Sequence, residues 1–341
     1  MASESTDPNS QDWPLPHHPF CQDTPSLPGG RATRIRRREA VIAWKDFLRF
    51  ALREARTTTE RLAAAPSPLQ SVGEVVLTDE VSRTLFEEYA AHRSTERGTE
   101  ETGWVLLGHR EASRAVVLAT LPAGAERDAG REHVRFNAEA QALASRIVRQ
   151  ADKRLSLLGV VHTHPGTLRH PSSGDFRGDR EWVQNLRGGE GIFGIGTVAD
   201  RVPKTGVAIH PQPQTLQYAD LRFDWYTLAE GEKKYRPVPV ELTIGPDLAK
   251  PLRKIWTDIE NHAVAIDRLA RQLTNVQFEV GESLNILVGL AANGQLRACI
   301  EGKSVRFFYE VGEDAFQIDL PAGTRPDQGI YLILAELAVR G

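Results

Sequence analysis

Apolar and polar positions divide the chain into a leader without periodicity, a helix-period stretch, a long α/β alternation and a shorter one. Residues 1–30 mix prolines with Ser, Asp and Asn and carry little periodic hydrophobicity, the pattern of a disordered leader. Arg31, Arg34, Arg36, Arg37 and Arg38 close that leader at residue 38. So short a basic run reads first as a solvated helix start, and second as a contact for an acidic partner or nucleic acid. Val41, Trp44, Phe47, Leu48 and Ala51 then recur at helical spacing and predict a helical extension within 39–72, closed by Pro66 and Pro68.

A domain is expected over 73–230. Val75–Thr78 reads as a strand, and Thr78 or Asp79 caps a helix running to about His92. Trp104, Val105, Leu106 and Leu107 mark a buried strand over Glu101–Gly108, with Ala115–Leu121 as its hairpin partner. Asn137 caps a helix to about Lys153, with Ala140, Leu143, Ile147 and Val148 as its apolar stripe. Leu155–His162 is a nearly continuous apolar run, as expected of a central strand. Ile192–Val198, Val207–Ile209 and Leu221–Leu228 predict further strands.

Residues 231–240 are charged and broken by Pro237 and Pro239, which reads as a linker. Over 241–341, Leu252, Ile255, Trp256, Ile259, Ala263, Ile266, Leu269 and Leu273 line one face of a long helix. Asn293-Gly294 is a strong hairpin signal, Val305–Val311 and Ala315–Leu320 read as strands, and Ile330–Val339 as a last helix. This second region is expected to be a small α+β domain of unassigned role.

Composition narrows the function. A hydrophobic fraction of 40% and a charged fraction of 26% are those of a soluble globular protein. The net charge of −3 argues against a generic nucleic-acid binder. Two cysteines, Cys21 and Cys299, exclude a Cys-rich zinc module and imply no disulfide framework. No apolar run is long enough for a membrane span, and the N-terminus lacks the pattern of a secretory signal, so the expected location is cytoplasmic.

The chemistry concentrates in Gly159-Val-Val-His162-Thr-His164-Pro165 and, after a short gap, Pro171-Ser172-Ser-Gly-Asp175. His162 and His164 sit at i and i+2 at a strand end, so their side chains share a face. Two neutral imidazoles side by side suit zinc. Pro171 introduces Ser172, a good helix cap, and Asp175 then falls in the first turn, where the helix dipole favours a carboxylate. A third ligand there leaves one tetrahedral position open, the feature that separates catalytic from structural zinc. Asp179, one turn later, is the rival ligand, and pure capping is the rival role for Ser172. A base would come from Glu101, in Glu101-Thr-Gly103-Trp-Val-Leu-Leu-Gly108, provided its strand lies beside the histidine strand. Glu100 competes for that role, but the spacing to Gly103 and Gly108 favours Glu101. His109, His133 and His170 read as exposed loop residues.

Together these residues resemble the JAB/MPN metalloprotease signature, also called JAMM, and look especially like its bacterial branch; the resemblance covers 73 to about 230. It implies an α/β (α+β) fold, a cytidine-deaminase-like core with a mixed sheet flanked by helices. It also implies a zinc isopeptidase that cuts after the C-terminal tail of ubiquitin or a ubiquitin-like protein. His162, His164 and Asp175 would then hold Zn(2+), Glu101 would activate water, and Ser172 would hydrogen-bond the tetrahedral intermediate. Partners would be a ubiquitin-like protein or its conjugates, with the activating and conjugating enzymes of a bacterial system. Trp104 departs from the small residue many bacterial relatives carry there, either reshaping the surroundings of the base or packing in the core. Other readings are a peptidase trimming sulfur-carrier tails or peptides, a non-catalytic MPN scaffold, and a DNA-associated factor like the RadC branch, against which the net charge speaks.

Overall fold

A computed structural model describes residues 34–36 and 68–340, apart from 126, 132, 204, 205, 291 and 292. Its first half contains β1 (Arg34–Arg36), β2 (Glu74–Thr78), α1 (Asp79–Arg93), β3 (Gly103–Arg110), β4 (Arg114–Pro122), β5 (Asp128–Ala129), β6 (Val134–Arg135), α2 (Ala138–Arg149) and β7 (Ser156–Thr163). There follow α3 (Ser173–Trp182), β8 (Glu190–Val198), β9 (Ile209–Gln212), β10 (Thr215–Tyr218), β11 (Leu221–Ala229), β12 (Arg236–Pro237) and β13 (Val240–Thr243). Last come α4 (Trp256–Gln272), β14 (Val276–Val280), β15 (Leu284–Gly289), β16 (Gly294–Glu301), β17 (Ser304–Val311), β18 (Asp314–Ile318) and α5 (Pro326–Arg340).

The expected strand-to-helix switches rest on side-chain caps. Thr78 accepts the N–H of Val81 at 3.3 Å, and Asn137 accepts that of Ala140 at 3.0 Å, each satisfying a backbone donor that its helix leaves unpaired. The strands form a mixed sheet in the order β13-β2-β4-β3-β7-β8-β11-β10-β9, with β12 added along β11. Within it β3 lies antiparallel to β7, and β7 parallel to β8. The pleat sends successive residues of β3 to opposite faces. Trp104 and Leu106 pack with Leu85, Phe86 and Tyr89 of α1, whereas Val105 and Leu107 join Leu143 and Ile147 of α2. The fold is thus a mixed α/β arrangement with helices against both sheet faces.

The second sheet is an antiparallel meander, β14 to β18, with β1 along its far edge. Strands β15 and β16 pair antiparallel, as the hairpin signal predicts, with Asn293, at φ 59°, directly before β16 and Gly294 as the first residue of that strand. One apolar core joins Leu121, Leu143 and Ile147 to Ile259 and Ile266 of α4, Ile286 and Ile300 of the meander, and Ile330 of α5.

Three expectations need amendment. The stretch 231–240, read as a linker, supplies β12 and the start of β13, which runs parallel to β2. Arg34–Arg36 pairs with β18 as a strand and not as a helix start; an open sheet edge offers it backbone partners. The first turns of the long C-terminal helix form a 3-10 segment over Lys250–Ile255, with Pro251 at its start. The rest of the leader and the helix expected from Glu39 lie outside the described residues up to residue 67.

Candidate metal centre

Strand β7 presents the two histidines. Val160 packs beside Phe176 and Trp182 of α3, and the pleat carries His162 and His164 onto that same side. The backbone of His164 continues the pairing past the strand end, its N–H donating to the Gly196 carbonyl at 2.8 Å. Both imidazoles are buried, at 6% and 5% exposure.

Strand β3 brings the acid. Gly103 lies opposite His162, and one step on the Thr163 N–H donates to the Thr102 carbonyl at 2.9 Å. The next residue, Glu101, therefore enters beside His164, and its own N–H is tied to the Gly130 carbonyl at 2.7 Å. Gly103 permits this approach: a Cβ there would stand 2.6 Å from the Val161 carbonyl oxygen and 3.3 Å from the His162 Cβ. Glu101 is 4% exposed. Burial pushes its carboxyl above the usual range, and the neighbouring imidazoles of His162 and His164 pull the other way.

Helix α3 delivers the third donor through a reciprocal cap. Ser172 Oγ accepts the N–H groups of Gly174 and Asp175 at 3.2 Å each, and Asp175 Oδ2 accepts the Ser172 N–H at 2.5 Å. This fixes the carboxylate towards the histidines. Asp175 Oδ1 is 3.3 Å from His162 Nε2, Asp175 Oδ2 is 3.5 Å from His164 Nε2, and the two Nε2 atoms are 3.1 Å apart. Burial alone would raise the Asp175 carboxyl, but the two imidazoles and the Ser172 N–H hold it well below the usual range. Burial likewise opposes charge on His162, yet Asp175, and after it Glu101 and Asp179, raise the imidazole above its ordinary value.

With one donor atom from each residue the three lie within 4.8 Å of one another, close enough to share one ion. Ligands about 2.0–2.1 Å from a tetrahedral centre stand roughly 3.3 Å from one another. The tautomer fits as well: His164 Nδ1 lies 2.7 Å from the Leu168 carbonyl, which can only accept, so Nδ1 carries the proton and Nε2 keeps its lone pair for the cluster. Among the described residues this is the only group of three or more His, Cys, Asp or Glu donors gathered closely enough to hold a metal.

Other sequence candidates fall outside the cluster. Asp179 turns to Tyr235, whose hydroxyl donates to its Oδ2 at 2.7 Å. Glu100 pairs with Arg97 at 2.6 Å, and His170 is exposed. His133 pairs with Asp128 at 3.2 Å in the β5–β6 hairpin. His109 is not in a loop but in β3, 3.0 Å from Asp152. Trp104 is buried against Phe223, and its Nε1 donates to Glu88 at 2.5 Å. It packs in the core. The sequence reading missed the Leu168 carbonyl and Tyr235; a backbone acceptor leaves no side-chain signal, and Tyr235 is hidden in a charged run.

Residues 82–208 match the model of the prokaryotic homologs of the JAB domain, a span that holds Glu101, His162, His164, Ser172 and Asp175. No curated protein matches the chain. Among solved structures, protein DSY2949 from Desulfitobacterium hafniense is similar at 18% identity, over 50% of this chain and 94% of its own, with a TM-score of 0.33.

Proposed function

We propose that this chain, whose residues 82–208 match the model of the prokaryotic homologs of the JAB domain, is a zinc-dependent peptidase that cuts after the extended tail of a ubiquitin-like protein. The observation that carries the hydrolytic part is the convergence of His162, His164 and Asp175, with donor atoms within 4.8 Å of one another, beside the buried Glu101. The choice of a ubiquitin-like tail rests on family likeness.

A zinc ion held by these three side chains would polarise a substrate carbonyl and acidify water. Glu101 takes a proton from the attacking water and returns it to the departing amine. Its carboxyl is buried and burial raises its pKa, so the carboxylate is a better base than one in solvent. Ser172 serves two purposes that do not compete. Capping uses only the lone pairs of Oγ, which accept from Gly174 and Asp175. The hydroxyl proton remains for the oxyanion.

The test is cleavage of a panel of ubiquitin-like proteins carried as linear and as lysine-linked fusions. Wild type should cut at least one, and Glu101→Ala should be slower by about 10²–10⁴-fold, the usual worth of a positioned base, without losing zinc. Full activity in Glu101→Ala would remove the base assignment. If zinc-loaded wild type cuts nothing and partner binding survives chelation, the chain is a scaffold and the peptidase reading falls.

A further inference from the structure

Beside the metal cluster lies a cavity of about 290 Å³ whose walls include Tyr89, Arg93, Thr99, Arg131, Pro165 and Val198. Its position ties it to the chemistry. Pro165 directly follows His164, Thr99 is two residues before Glu101, and Val198 ends β8, the strand parallel to β7. The cavity therefore opens at the carboxyl ends of two parallel strands, where α/β sheets commonly receive ligands. An extended chain advances about 3.3 Å per residue, so a peptide lying across the histidines reaches the cavity within a few residues.

The walls are selective by charge. Among the described residues they contain two guanidinium groups and no carboxylate. Asp220 takes one N–H of Arg93 at 2.8 Å, but it stands outside the walls, and a guanidinium has five donors. Arg131 is exposed and sits on the segment whose Gly130 carbonyl anchors Glu101. The Tyr89 phenol is pushed up to about 12, chiefly by burial, and stays a neutral donor. The cavity has room for one side chain with some water, each liquid water filling about 30 Å³. Guanidinium forks bind carboxylates in paired, charge-assisted hydrogen bonds.

We propose that this cavity is a specificity pocket that holds a carboxylate of the peptide being cut, within a few residues of the scissile bond. The carboxylate comes from an Asp or Glu side chain or from a free C-terminus. The substrate role rests on the peptidase reading above; carboxylate binding does not.

Three tripeptides test it by NMR titration of the full chain: acetyl-Gly-Gly-Glu-amide, acetyl-Gly-Gly-Gly with a free terminus, and acetyl-Gly-Gly-Gln-amide. The Glu peptide, the free-terminus peptide or both should bind about tenfold or more tighter than the Gln peptide, and the pair tells which source of carboxylate is preferred. Arg131→Gln should remove about tenfold of that binding, as should Arg93→Gln, whose half-exposed ion pair with Asp220 is of the kind that contributes little to stability. Equal binding of all three peptides, or no binding, overturns the pocket. A parallel digest of a mixed peptide library separates the two claims. Carboxylate binding without cleavage keeps the pocket and sinks the peptidase. Cleavage with no preference for acidic residues or a nearby C-terminus, unchanged in Arg131→Gln, keeps the peptidase and sinks the pocket.

Discussion

Asp179 shows how closely burial and charge are balanced at single residues around the cluster. Burial first, and then the nearby Asp175, push its carboxyl up to about 6, against the pull of the Tyr235 hydroxyl and of His162. An acid with a folded pKa above its unfolded one binds more protons in the folded state between the two values. Its contribution to stability is therefore complete in acid and is lost as pH rises from about 4 through 6. In the metal-free chain, wild type should lose on the order of 2 kcal/mol across that window relative to Asp179→Asn, which keeps the Tyr235 hydrogen bond without the charge. Denaturant melts of both proteins at pH 4 and pH 7 measure it, and an identical pH slope would remove the assignment. The approach of Ser172 and Asp175 to the histidine strand was legible because prolines and a helix cap constrain the backbone at fixed offsets. That Asp179 turns away was not legible, since the partner that draws it, Tyr235, is 56 positions distant.

At the scale of elements, the site depends on how tightly β3 and β7 approach. Gly103 faces the Val161 carbonyl too closely for any side chain. Gly103→Ala should push the strands apart at His162 and lower zinc affinity by about 10–100-fold, as losing a group that orients a metal ligand does. A zinc titration with a competing chelator reads this directly, and unchanged affinity would mean that the pairing tolerates the displacement. The pairing could not be read from sequence, because hydrophobic period reveals a strand but not its neighbour. The boundaries of β2, α1, β4, α2 and β8 did follow from period and caps, to within a few residues. Strand β10 went unread: it is four residues long, and its ladder with β9 shifts register between Thr215 and Gln217, opposite the stretch that holds Pro211.

Across the whole molecule, the apolar core that α2 shares with α4 and the meander ties the metal-bearing sheet to the C-terminal region. Ile266 is fully buried within it. Ile266→Ala should cost about 2–5 kcal/mol and move a single calorimetric transition that zinc also moves. Two transitions, with the zinc-sensitive one unshifted, would show the regions to be energetically separate. Amphipathic stripes on α2 and α4 announced two buried faces, but a stripe does not say what it packs against. Likewise Pro237 reads as a break because it has no N–H for a ladder, although a two-residue strand along β11 accommodates it. Among the described residues no helix is long and apolar enough to cross a membrane.

The measurement that bears most directly on the centre is the zinc content of wild type, Glu101→Ala and His162→Ala after loading and dialysis at neutral pH. Wild type and Glu101→Ala should each retain one equivalent, and His162→Ala should retain little. Zinc-free wild type, or His162→Ala holding as much as wild type, would contradict the account.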